Sequence, residues 1–233
     1  MKHQESQQIS AFIRTNGYSV IPDVFASADL AEAERQLVDP RLKRSRAGAR
    51  HVLSCSAVAE IASLPALLEM ARSVLGPEAL PFRATFFDKS PDSNWLVAWH
   101  QDTALPLAFR VDAPGWGPWS LKDGIHYAHA PANVLENVLA LRVHLDDSTS
   151  LNGPLRVIPG THLNGVRTDG EISDCAEKSH AIECTVRVGG VIAIHPLVIH
   201  ASSKSECQSP RRVLHIEYAS HLKIHLGLQL AIV

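Results

Sequence analysis

The chain changes rhythm near residue 80. Before it, apolar residues recur at helical spacing; beyond it, they fall in short runs of β-formers broken by Gly, Pro, Asn and Asp. In the first part, residues 7–15 predict a helix that stops at the turn pair Asn16-Gly17. Asp29, with Glu32 three positions on, predicts a capping box opening a second helix that runs to about Val38. A third helix is expected from Ser63 as its cap and Pro65 in its first turn, through Leu67, Leu68, Ala71 and Leu75, to Gly76-Pro77. In the second part the strand candidates are residues 83–88, 95–100, 125–129, 139–145, 154–158, 191–194 and 212–219. Short strands so punctuated predict an antiparallel barrel or sandwich with the helices packed on its outside. Residues 103–123, rich in Pro, Gly and Trp, read as a long loop, and a loop of that length in a compact unit is a candidate lid.

With 233 residues, 45% hydrophobic and 20% charged, the chain suits one domain whose core can hold an internal site. The expected layout is a single domain over residues 1–233, helical to about residue 80 and barrel over about 81–220. A net charge of −2, with 22 Lys and Arg scattered apart from short runs such as 41–50, argues against a nucleic-acid surface. The four cysteines form no Cys-x-x-Cys pair, which disfavours a zinc knuckle or a dense disulfide framework and suits reduced thiols. Residues 1–10 lack an apolar signal core, and no apolar run reaches the roughly 18 residues of a membrane span. The cytoplasm is the expected location. Oligomeric state is not legible.

Thirteen histidines are many for this length and raise the question of a metal. Two His and one carboxylate on one face of iron(II) leave three positions open, the arrangement that non-haem iron oxygenases need. On a strand, i and i+2 point the same way, so His-x-acid delivers two ligands together. Chance alone places roughly one such pair in a chain of this composition, so the pattern by itself is weak. Four occur: His3-Gln4-Glu5, His100-Gln101-Asp102, His144-Leu145-Asp146 and His215-Ile216-Glu217. The first lies at the terminus, the last leaves only His221 and His225 downstream, and the third ends beside Asp147 and a Ser-Thr-Ser turn that suits a solvated strand end. The second differs, because an apolar strand with Trp95, Val97 and Trp99 runs into it and the long loop runs out of it. A third ligand is sought after Gly189-Gly190, where His195 and His200 stand. His195 precedes Pro196, which restricts it and suits a structural role. Downstream, Arg211 and Arg212 read either as surface side chains or as a bidentate clamp for a carboxylate.

The blocks Trp99-His100-Gln101-Asp102, Asn152-Gly153-Pro154-Leu155-Arg156-Val157-Ile158-Pro159-Gly160-Thr161-His162, His195-Pro196-Leu197-Val198-Ile199-His200-Ala201-Ser202 and Arg211 have a familiar order and spacing. Over about residues 10–220 they resemble the phytanoyl-CoA dioxygenase family. The resemblance implies a mainly β fold with α, a double-stranded β-helix of jelly-roll or cupin-like form. It implies Fe(II) on His100, Asp102 and His200, dioxygen as oxidant, and 2-oxoglutarate as co-substrate with its C5 carboxylate on Arg211 and Ser202. Co-substrate contacts of relatives fall by position on Arg142, where Trp is common, and on Thr85; Gln101 is a further candidate. Halogenating relatives carry a small residue where this chain has Asp102, so hydroxylation of a small organic substrate is expected. Gly153 and the Pro-Gly-Thr-His block read as turn chemistry, and His162 as structural. Trp116, Trp119 and Lys122 are candidates for closing over the substrate, and Lys89, Asn94 and Trp95 for lining its approach, unless the aromatics simply pack the barrel mouth. Two other readings stand beside this one: an inactive barrel that binds or senses a small molecule, and another metal enzyme drawing on His126, His129 and His144.

Overall fold

The computed structural model describes residues 3–39, 42–45, 48–91, 93–224 and 227–233. The side chains of His3 and Glu5, the whole of His225 and part of the basic run 41–50 lie outside the described residues. The helices are α1 (His3–Asn16), α2 (Ser27–Leu37), α3 (Ser56–Ala62), α4 (Pro65–Leu75), α5 (Ala132–Leu135) and α6 (Asp169–Lys178). The strands are β1 (Tyr18–Ile21), β2 (Gly48–Arg50), β3 (Leu80–Lys89), β4 (Val97–His100), β5 (Ala104–Leu107), β6 (Trp119–Lys122) and β7 (Ile125–His129). They continue with β8 (Val138–His144), β9 (Leu155–Val157), β10 (Ile182–Cys184), β11 (Val191–Ile194), β12 (His200–Ser202) and β13 (Arg211–Ala219). A large sheet of order β1-β11-β8-β13-β3-β2 faces a small one of order β10-β9-β12-β4, and a third of order β5-β7-β6 adjoins them.

Alternation along the large sheet gives it two different faces. Ala84, Phe86, Leu141, Val143, Leu214, Ile216 and Tyr218 point outward and bury against Leu30, Leu37, Val58, Leu67 and Met70 of the helices. Each such side chain removed from water contributes roughly 1.5–3 kcal/mol, which is what holds the helical layer on. The opposite parity points inward, where Ala140, Ile192 and Ile194 meet Leu155, Val157 and Val198 of the small sheet. The inward residues of β3 and β13 are mostly polar, and they build the site.

Several helix boundaries differ from the sequence expectations. The first helix begins earlier, at His3, and stops at Gly17 as expected. Gly17 has φ +78°, and a Cβ there would meet Val198 Cγ2 at 2.1 Å, so the tight exit from α1 needs glycine. Asp29 is not the cap of α2 but its third residue; the cap is Ala26, whose N–H donates to the Asp29 carboxylate at 2.9 Å. Glu32 instead pairs with Arg35. Ser63 does not open α4; it closes α3, an unpredicted helix, with its hydroxyl on Ala59 O, and Leu64 caps α4. The helical part also contains β1 and β2, both completing the large sheet. Each was short enough to be read with its helical surroundings.

The long loop expected over residues 103–123 is corrected as well. Its ends are β5 and β6, which pair with β7 from both sides. Leu105 and Leu107 are buried, and Trp116 and Trp119 pack on their cluster, so the segment is sheet with a crossing loop and not a free lid. Among the described residues, no helix is long and apolar enough to cross a membrane.

Candidate metal centre

β12 lies antiparallel to β4 with His200 directly opposite His100, and their rings stand 4.2 Å apart between centroids. Asp102, two residues past His100, points the same way and is anchored by its N–H on Pro196 O at 2.9 Å. Its two carboxylate oxygens lie 3.3 Å from His100 Nε2 and 3.4 Å from His200 Nε2. Both rings are held in one tautomer, since His100 Nδ1–H donates to Ala98 O and His200 Nδ1–H to Val198 O, each at 2.8 Å. Two imine lone pairs therefore converge on a carboxylate, all within 4.8 Å of one another. Such groups repel unless a cation stands among them, and one carboxylate with two imidazoles is the donor set of non-haem iron. Burial opposes the charge on Asp102, and the facing His200 and His100 rings hold its carboxyl well below the usual range only while they carry a proton; with both rings neutral that counter-charge falls to the metal.

The trio opens into a cavity. Phe87, Trp95 and Leu155 supply apolar wall, and Arg142, Ser202 and Arg211 a polar one. Arg211 is 3% exposed. Its Nε donates to Asn152 O at 3.3 Å and its Nη2 to Ser202 Oγ at 3.2 Å, while Nη1 is buried without a partner. Arg142 donates through Nη1 to His215 Nδ1 at 3.0 Å, and its Nε is unpartnered. Behind them the buried Lys89 ammonium donates to Ser202 Oγ at 2.8 Å and to Ser203 O. Burial, then mutual repulsion, pushes Arg211 down to about 9, and burial pushes Arg142 down to about 10. No carboxylate is bonded to any of the three among the described residues. A buried cation cluster with idle N–H groups fits an anion such as a dicarboxylate.

The placement separates the expected site residues. His100, Asp102, His200, Arg142, Ser202, Arg211 and Trp95 meet at one cavity. Arg212, of opposite parity, turns outward and pairs with Asp146 and Glu34, which accounts for the acid of the His144 motif. Gln101 does not face the cavity: its amide donates to Gly165 O and Leu197 O, and its oxygen accepts from Arg167 N–H, so every polar atom is used in tying loops together. Thr85 faces inward, on the row of His215 and Arg142, but is not part of the cavity wall. Asn94 is engaged with Ser205, and Trp116, Trp119 and Lys122 do not line this cavity. His126, His129 and His144 do not join the trio; His144 is fully buried with neither ring nitrogen bonded. His195 is structural, accepting from Leu197 N–H, with its pKa pushed by burial down to about 4. His162 bonds Arg14 O. The sequence reading missed Phe87 and the depth of Lys89, although both share the inward parity of β3. Gly153, expected in a turn, has φ +67° and would place a Cβ 2.3 Å from Ser203 O and 3.1 Å from Lys89 Nζ.

Fold and site together define a class: a double-stranded β-helix with a facial His-x-Asp and His set beside a basic pocket is the framework of non-haem iron, 2-oxoglutarate-dependent oxygenases. Within it, the chain belongs to the phytanoyl-CoA dioxygenase (PhyH) family, whose model matches residues 13–213. L-proline trans-4-hydroxylase of Streptomyces griseoviridis is 27% identical over 187 residues, 69% of this chain and 62% of that protein. Ectoine dioxygenase of Sphingopyxis alaskensis is 24% identical over 185 residues, 72% of this chain and 53% of that protein. The chain thus spans less than two thirds of the length of these relatives. The crystal structure of the epimerase SnoN in complex with Fe3+, α-ketoglutarate and nogalamycin RO shares the fold, with a TM-score of 0.70 at 19% identity, covering 94% of this chain and 85% of SnoN.

Proposed function

We propose that this protein is an Fe(II)-dependent dioxygenase that couples oxidative decarboxylation of 2-oxoglutarate to hydroxylation of a small organic molecule. The observation that carries the reading is the juxtaposition of three converging ligand groups with two buried arginines that each keep an idle N–H. His100, Asp102 and His200 hold the metal. With its co-substrate bound there, iron would supply the oxidation: dioxygen, 2-oxoglutarate and a substrate C–H become succinate, carbon dioxide and C–OH. Arg211 and Ser202 hold the C5 carboxylate, Arg142 adds a second cation, and the Phe87, Trp95 and Leu155 wall keeps water from the reacting end. Asp102 fills the position that a halogenating site would leave open. Relatives named for proline and ectoine support a small substrate. The four free cysteines suit a reducing compartment, and we place the protein in the cytoplasm, acting as one catalytic unit over its 233 residues.

The test is succinate formation from 2-oxoglutarate by anaerobically iron-loaded protein after air is admitted. Wild type is expected to turn over slowly without substrate, and His200→Ala and Arg211→Ala to lose that turnover, the latter by weakening co-substrate binding about 100-fold or more. Metal binding with no 2-oxoglutarate turnover in wild type would instead support an inactive, ligand-sensing barrel.

A further inference from the structure

We propose that the substrate carries an anionic group, a carboxylate or a phosphate, which Arg50 and Lys122 hold at a second basic site near the metal trio. The inference rests on the oxygenase reading above and names the substrate class for it.

The register of the large sheet places Arg50. Arg50 is opposite Thr85, Thr85 opposite His215, and His215 opposite Arg142. Directly paired residues share a face, so one inward row runs from Arg142 in the co-substrate pocket to Arg50 at the sheet's β2 edge. Its neighbour Ala49 is buried in the outward core, which confirms the parity. The third sheet brings Lys122 and Tyr127 to the same place. Tyr127, 3% exposed, has Lys122 Nζ over its ring at 4.6 Å and the Arg83 guanidinium over it at 5.6 Å, and its hydroxyl bonds His51 Nε2 at 2.9 Å. His51 holds a left-handed backbone, φ 59°, to make that contact beside Arg50.

The charges there do not cancel. Arg83 is satisfied by Glu217 and by Ala104 O, two residues past Asp102. The nearby Asp123 is taken by Lys43. The field of Asp123 also reaches Arg50, so one carboxylate stands against two cations there, and no carboxylate is bonded to Lys122 among the described residues. Arg83, over the same tyrosine ring as Lys122, donates to Ala104 O just past Asp102, which sets the pair beside the metal trio; burial and the charges of Arg50 and Arg83 push the half-buried Lys122 ammonium down. The co-substrate pocket has its own cations, Arg142, Arg211 and Lys89. Two basic sites beside one metal trio suit two anions, one the co-substrate and the other the handle that aims a substrate C–H at the metal.

The experiment is an NMR titration of protein loaded with Zn(II) and 2-oxoglutarate, so that the first basic pocket is filled. Benzoate and phenyl phosphate are the charged probes, benzamide the neutral one, and the Tyr127 ring and Lys122 side-chain signals are followed. At least one anion is expected to give saturable shifts that benzamide does not. Arg50→Gln and Lys122→Gln should each weaken that binding about tenfold, whereas Arg35→Gln on α2 should keep it. The stronger anion separates a carboxylate from a phosphate handle. Shifts from both anions no larger than those from benzamide, or affinity that survives both substitutions, would overturn the proposal. Failure of the underlying reading shows earlier and separately, as no 2-oxoglutarate binding by the Zn(II)-loaded wild type, and would remove both.

Discussion

Lys89 sits 1% exposed behind Ser202, and burial, reinforced by Arg211 and Arg142, pushes its pKa down to about 7. A dicarboxylate bound in front of it adds the opposite charge and raises that value, so binding takes up a proton whenever the free protein holds Lys89 neutral. Affinity for 2-oxoglutarate should therefore fall as the pH rises from about 7 to 9, and Lys89→Met should flatten the dependence; calorimetric titration across that range measures it. The sign for stability is the reverse. The folded value lies below the ordinary 10.5, the unfolded chain binds more protons between the two, and this residue's contribution to stability grows as pH rises across that window.

Among the elements, the end of β4 and the extended residues just past it show how alternation can serve two jobs on opposite faces. His100 and Asp102 point to the metal, and Gln101 between them points away, where its amide binds three backbone groups from the loops leading to α6 and β12. Replacing it with alanine leaves buried backbone groups unpaired. Gln101→Ala is expected to lower stability by about 1–3 kcal/mol in urea unfolding, through the scaffold and not through a lost co-substrate contact. Much at this scale was legible in advance. The periods of β3, β8 and β13 gave strands at nearly the right places, because an alternating strand declares itself locally. Boundaries were harder: Asp29 and Ser63 are good capping residues, yet Asp29 acts as the N3 partner of Ala26 and Ser63 ends the preceding helix. One residue type serves several helix-end roles, and only the neighbouring backbone selects among them.

At the scale of the molecule, ligands from the small sheet meet cations from the large one, so occupancy of the site joins the two layers. Metal binds the folded chain far better than the unfolded one, which cannot bring His200 beside His100. Removing it with a chelator should lower the melting temperature by about 5–10 °C relative to protein in 100-fold excess of metal over its Kd, read by circular dichroism. Among the described residues, none from the helical layer lines the metal cavity. The layer covers the apolar outward face of the large sheet, and Tyr218, whose hydroxyl donates to Ala62 O at 2.9 Å, pins it there.

Sequence by itself determined the residues that carry a local rule. His100 and Asp102 share a face because they are two apart in extended chain at the end of a strand, adjacent Arg211 and Arg212 part company by the same alternation, and the order of the four blocks identified the family. Tertiary structure alone decided which faces meet. The row from Arg50 through Thr85 and His215 to Arg142 depends on the register of three strand pairs, and the site around Tyr127 depends on a third sheet hidden inside an apparent loop. Spacing along the chain sets the side on which a residue points. Only pairing between segments far apart in sequence sets what it faces, since that is decided by how distant apolar faces bury one another.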